Sequence, residues 1–145
     1  MHDERYTRGA AKLRELYGDV GEGVLQGANR AAPDLHRYVV EFAFGDVYSR
    51  PGLSARDREI ATIAALTVIS YAPSELEAHV YGALNAGCTR NEILEVITQM
   101  TLYAGFPASL RGVEAANRIF ARLDDPDDLL TLLTCVRDSQ TSDPT

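Results

Sequence analysis

The sequence has no tryptophan, two cysteines and three histidines in 145 residues. Cys88 and Cys135 stand far apart, which fits reduced thiols in a cytoplasm better than a disulfide framework. His2, His36 and His79 lack the spacing of metal ligands, so no metal site is expected. A glycine-rich phosphate loop, a nucleophile elbow and a dinucleotide fingerprint are all missing. Long apolar runs are missing too. The longest, Ile60 to Ile69, is broken by Thr62 and Thr67 and is too short to cross a bilayer. The opening Met1-His2-Asp3-Glu4-Arg5 is charged and has no apolar signal core. Basic charge is scarce, with 14 Lys and Arg against 21 Asp and Glu, a net charge of −7. Such a chain has no electrostatic footprint for phosphate backbones and is repelled by anionic membranes, so neither nucleic acid nor membrane is an expected partner.

What remains is the balance of a soluble globular protein, with 46% apolar and 24% charged residues. One cytoplasmic domain over residues 1–138 is expected, with a polar, disordered tail over 139–145. No segment alternates with period two, and helical signals dominate. An amphipathic helix covers about Glu4 to Tyr17, followed by a stretch punctuated by Gly18, Gly21, Gly23 and Gly27. Pro33 suits the first turn of a helix reaching Ala43, and Ser49–Gly52 reads as a turn. Ser54 caps a helix whose interior, Ile60 to Ile69, is apolar almost all round and so is expected to be buried. Pro73 and Ser74 start the next helix, and Gly87 ends it as a left-handed cap. Thr89 and Glu92 form a capping box for a helix from about Arg90 to Tyr103. Pro107 starts another through about Ala121, and Asp124–Asp128 leads into a last helix, Leu129 to Val136. The fold class is therefore all-α, a single-domain bundle of about seven helices.

Chemistry concentrates on the segment Glu75-Leu76-Glu77-Ala78-His79. On a helix, Glu75, His79, Gly82 and Ala86 share a stripe that is polar at one end and nearly without side chains at the other. Small residues there leave room for a ligand beside the imidazole. Glu75 can accept a hydrogen bond from one ring nitrogen of His79 and leave the other for a ligand. Alternatively the two form an ordinary surface pair of a few tenths of a kcal/mol, on the order typical for such spacing. Glu59, at the head of the apolar helix, is either a desolvated proton donor or a first-turn acid serving the helix dipole, Arg56 or Arg58. Tyr103 and Phe106 flank Gly105 at a helix end, as core aromatics or as the lining of a pocket.

These segments resemble the carboxymuconolactone decarboxylase family, within the alkyl-hydroperoxidase D-like superfamily. The resemblance runs from about Arg5 to Ala121 and rests on Arg5-Tyr6 with Gly9, Gly45-Asp46, Ser49-Arg50-Pro51-Gly52-Leu53 and Arg58. It continues through Glu75-Leu76 with His79, Asn85 with Gly87, Thr89-Arg90 with Glu92, Gln99, Tyr103, Gly105 and Pro107-Ala108. It implies a compact helical protein that assembles as a trimer or hexamer and removes carbon dioxide from a small carboxylated lactone or oxo-acid without a cofactor. His79 and Glu75, with Glu59, would be its acid–base groups. Arg50, Arg58, Tyr81 and Tyr103 would contact substrate.

The chain also departs from the pattern. Tyr81 stands where muconolactone decarboxylases often carry Arg, and Ala86 replaces the second of two asparagines. Leu110 and Glu114 follow Pro107 where polar Asn and His are expected. Each change removes a partner for an anionic substrate, which points to a less acidic, larger one, as in a tailoring enzyme of secondary metabolism. The peroxidase branch places Cys-x-x-Cys just before the histidine. Here that stretch is Ala72-Pro73-Ser74-Glu75, so thiol-dependent peroxidase chemistry is disfavoured. The alternative from another class is a non-catalytic ligand-binding or assembly protein on the same fold.

Overall fold

A computed structural model describes residues 3–125 and 127. The expected helix over 129–136 and the tail over 139–145 lie outside the described residues. Among the described residues the architecture is all-α, with seven α-helices and one π-helical segment. None of these helices is long and apolar enough to cross a membrane. Contacts divide the chain at Gly52/Leu53 into two compact units, a division that composition along the sequence does not mark.

The first unit holds α1 (Glu4–Ala31), α2 (Pro33–Tyr38) and the π-helical segment Val39–Tyr48. Helix α1 runs well past the expected Tyr17, bending at Gly18, whose φ of 55° and ψ of −147° are not helical. Leu13, Leu16 and Tyr17 form its buried stripe, and Tyr17 meets Phe44 edge-on at 5.9 Å. Two glycines let α1 and the π segment touch through their backbones. A Cβ on Gly9 would lie 2.0 Å from the Val40 carbonyl oxygen, and one on Gly45 would lie 2.6 Å from that of Arg5. Only hydrogen fits at both places. Asp46 closes this contact by accepting from Arg5 (Nη2 at 2.5 Å) and Arg8 (Nη2 at 3.2 Å).

The second unit holds α3 (Ala55–Ile69), α4 (Pro73–Asn85), α5 (Arg90–Gln99), α6 (Thr101–Ala104) and α7 (Phe106–Asp124). Its start signals are those read from the sequence. Ser54 Oγ accepts from the Asp57 amide at 3.1 Å, and Thr89 and Glu92 form the full capping box. Gly87 adopts φ of 96° after α4, a conformation that an L side chain rarely takes. The core gathers Ile63 of α3, Val80 and Ala83 of α4, Ile93 and Ile97 of α5, and Ala115, Ala116 and Ile119 of α7. Gly112 sets the α5–α7 spacing, since a Cβ there would lie 2.9 Å from Ile97 Cγ2. Burial of a side chain such as Ile97 contributes about 2–3 kcal/mol. Polar groups inside this core are bonded. Ser109 Oγ donates to the Ile97 carbonyl at 3.0 Å, and Thr67 Oγ1 to that of Ile63 at 2.7 Å.

Two expectations change. Helix α3 is not buried all round: its buried stripe is Glu59, Ile63 and Thr67, while Val68 and Ile69 are exposed. The helix expected from Arg90 to Tyr103 ends at Gln99, and α6 follows as a separate short helix that Gly105 (φ 79°) terminates. Tyr103 and Phe106 consequently face outward, each 73% exposed, and are not core aromatics.

Candidate active site

Helices α3 and α4 bring an acid and a base together. Glu59 lies one turn before Ile63 on the inward stripe of α3, so its side chain is carried into the interior and is fully buried. His79 lies one turn before Ala83 on α4, with 22% of its side-chain surface accessible. Its Nδ1 is 2.9 Å from Glu59 Oε2. When Glu59 is ionised it can only accept, and the ring proton of the pair then sits on Nδ1. Nε2, across the ring, is then the nitrogen that can take up or release a proton toward a ligand.

The anchor of the imidazole is therefore Glu59 from the neighbouring helix, where the spacing within α4 pointed to Glu75. Glu75 is exposed in the first turn of α4. Two residues four apart on a helix are neighbours, but their side chains are also free to diverge into water. The buried Glu59 cannot diverge. Its location beside Ile60 and Ile63 marked it in the sequence as a desolvated proton donor or a first-turn acid, not as the partner of His79.

The other nominated residues scatter. Arg58 is half-buried immediately before Glu59 on α3. Arg50 is exposed and belongs to the first unit. Tyr81, nominated above to contact substrate, packs against the apolar core of the second unit, and two positions from His79 on a helix it does not share that residue's face. Tyr103 projects from α6 into solvent. Gly82, beside which room was expected, is buried. A cleft of about 300 Å³, counting the open space at its mouth, lies instead where the end of α3 and the start of α4 meet α7. Leu66, Ser70, Pro73, Leu76 and Arg111 line it, and His79 does not.

Near Glu59 the structure adds a group that sequence reasoning left without a role. Cys88 is buried, and that burial pushes its thiol above the usual range against the pull of nearby Arg56. Arg56 in turn pairs with Glu92, which the Thr89 backbone amide and hydroxyl, together with Arg56, hold below the usual carboxylate range. A thiol kept protonated is a poor nucleophile. Among the described residues, no three His, Cys, Asp or Glu side chains converge closely enough to hold a metal ion.

The fold and this site define an all-α protein with a buried carboxylate orienting a part-exposed imidazole. The sequence profile of the carboxymuconolactone decarboxylase family matches residues 33–118. The chain is 35% identical over 125 residues to a 4-carboxymuconolactone decarboxylase of Acinetobacter baylyi, covering 85% of this chain and 92% of that protein. It is 34% identical over 102 residues to an uncharacterized 15.0 kDa protein of Paracoccus denitrificans, covering 70% and 76%. It is also 28% identical over 114 residues to a nitrosuccinic acid decarboxylase of Metarhizium robertsii, covering 78% and 79%. The chain belongs to the carboxymuconolactone decarboxylase family.

Proposed function

We propose that this protein is a cofactor-independent lyase that decarboxylates a small carboxylated lactone or oxo-acid, with His79 as acid–base and Glu59 as its positioning carboxylate. The observation that carries the reading is the 2.9 Å contact between a fully buried Glu59 and a part-exposed His79. Two relatives support the reaction class, since their names describe decarboxylases of a carboxylated lactone and of a nitro-substituted acid. In both substrates an electron-withdrawing group can receive the electron pair left behind.

The steps balance without another reactant. The bond between the substrate carbon and its carboxylate breaks, carbon dioxide departs, and the bonding pair moves into the adjacent carbonyl as an enolate. Protonated His79 stabilises that oxyanion through Nε2–H and then gives the proton to carbon. Water returns a proton to the ring. Glu59 holds the tautomer and faces the positive charge on the imidazolium. Arg58, adjoining Glu59, orients the substrate carboxylate before it leaves. Glu75 serves as a secondary group at the outer edge of the site. Tyr81, where muconolactone decarboxylases often carry Arg, favours a substrate with less negative charge, as in a tailoring step of secondary metabolism. The resemblance also supports a homo-oligomer, a trimer or hexamer, working in the cytoplasm.

His79→Ala is the test. Release of carbon dioxide from carboxylated lactones and oxo-acids should fall about a thousandfold, the usual contribution of a positioned acid–base group. Circular dichroism should show the helices intact. Undiminished turnover by the folded variant would remove His79 from the reaction. No turnover by the wild type across a panel of such acids would favour the non-catalytic binding or assembly protein.

A further inference from the structure

The cleft where α3, α4 and α7 meet lies wholly within the second unit and combines a hydrocarbon floor with a cationic rim. Leu76 of α4 and Thr67 of α3 are buried in the floor, and the Thr67 hydroxyl already donates to the Ile63 carbonyl. Helix α7 contributes Ala108, Arg111 and Gly112, which share one face through their spacing of three and four residues. Gly112 is seated against Thr67, where a Cβ would lie 3.2 Å from Cγ2. The methyl group of Ala108 is too small to close the space opposite Leu76, and the exposed Arg111 stands at its mouth. The guanidinium is held from one side. Ser70 ends α3 with a φ of 62°, uncommon for a residue with a side chain, and its Oγ accepts from Arg111 Nε at 2.9 Å. Nη1 and Nη2 form no hydrogen bond or ion pair among the described residues. Glu114, three residues on, bonds Arg118 at 3.1 Å instead.

We propose that this cleft binds a small monocarboxylic acid with an apolar body, its carboxylate on Arg111 Nη1 and Nη2 and its body against Leu76 and Ala108. A planar guanidinium meets a carboxylate through two parallel N–H···O bonds. One cation answers one negative charge, and a second carboxylate on the ligand would lie unpaired against hydrocarbon. A volume of about 300 Å³, mouth included, stands at the bottom of the usual range for ligand pockets, which sets the size near that of benzoate. The site is separate from the imidazole. Neither Glu59 nor His79 lines the cleft, and Thr67 lies eight residues beyond Glu59, about 12 Å along α3. The proposal goes beyond the decarboxylation reading and does not rest on it, because its readout is binding and not release of carbon dioxide.

Isothermal titration of the full chain with benzoate tests it. The wild type should bind benzoate saturably, one molecule per chain. Arg111→Gln, with helicity retained, should weaken that binding by at least about tenfold, as for the loss of a charged hydrogen-bond partner. Ala108→Leu fills the floor and should block benzoate altogether. Benzyl alcohol, which keeps the ring without the charge, and succinate, which adds a second charge, should each bind the wild type at least about tenfold more weakly. His79→Ala should bind benzoate as the wild type does, so this site and the proposed reaction can fail separately. Binding that does not saturate, an unchanged affinity in Arg111→Gln or in folded Ala108→Leu, or equal affinity for benzyl alcohol or succinate would each overturn the proposal. So would loss of benzoate in His79→Ala, which would place the acid at the imidazole.

Discussion

Two acid–base contacts in this chain look alike on paper and differ in what they can do. In the first unit, Asp46 binds Arg5 and Arg8, with 33%, 45% and 48% of the respective side chains accessible. In the second, Glu59 binds His79 with nothing accessible on the acid and 22% on the base. Both contacts use residues that carry the family resemblance or stand beside them. A guanidinium keeps its proton at any ordinary pH, so the Asp46 cluster can fix backbone geometry but cannot exchange a proton. An imidazole held by a buried carboxylate can. Sequence landmarks of one family thus divide into groups that shape the chain and groups that can react, and the division follows burial and the titrating range of the base.

The sharpest way to break this comparison is to remove the buried acid. Glu59→Ala removes the partner of His79 Nδ1 and leaves a void at a fully buried position, and should destabilise the protein by about 3–5 kcal/mol, read by urea unfolding. Glu59→Gln keeps an acceptor for Nδ1–H and should lose far less stability. Its turnover should nevertheless drop, because a charge on the ring no longer meets a carboxylate. If Ala and Gln variants were equally stable, the contact would not be holding the two helices.

Next in size is the glycine contact of the first unit. Gly9→Ala puts a methyl group 2.0 Å from the Val40 carbonyl oxygen, where the obstacle is backbone and cannot swing aside. A loss of about 3 kcal/mol is expected, at the upper end for overpacking. Gly52→Ala is the control, since no atom lies within 4 Å of the added Cβ. Equal melting points for the two variants would refute the close approach.

Most helix boundaries were legible because capping is local. Ser54, Thr89 with Glu92, and Gly87 each act within a few residues of themselves. The π winding of Val39–Tyr48 was not legible. Val39, Val40, Phe42 and Ala43 read as an ordinary apolar helix face, and the neighbour that accompanies the wider winding is α1, distant in sequence. The Glu59–His79 contact was half legible. Both residues stood out, but spacing along one helix favoured Glu75, and only the packing of α3 against α4 selects Glu59. The outward Tyr103 and Phe106 were illegible for a related reason: an aromatic pair at a glycine turn has the same pattern whether a core or a partner covers it.

The smallest effect concerns Asp46 and is best read as a difference between two proteins across pH. The hydrogen bond from Arg5, and the charges of Arg5 and Arg8, hold the Asp46 carboxyl below its ordinary value. A carboxylate whose folded-state pKa is depressed contributes stability above its unfolded-state value of about 4, and that contribution fades as pH falls through the folded-state value. Asp46→Asn should therefore melt slightly below the wild type at neutral pH, and the two curves should converge in acid below about pH 4. High salt should narrow the gap at neutral pH, because all three side chains are wet enough for screening to reach them. A gap that survives both acid and salt would mean that Asp46 acts by shape and not by charge, and the contrast with Glu59 would then rest on burial alone.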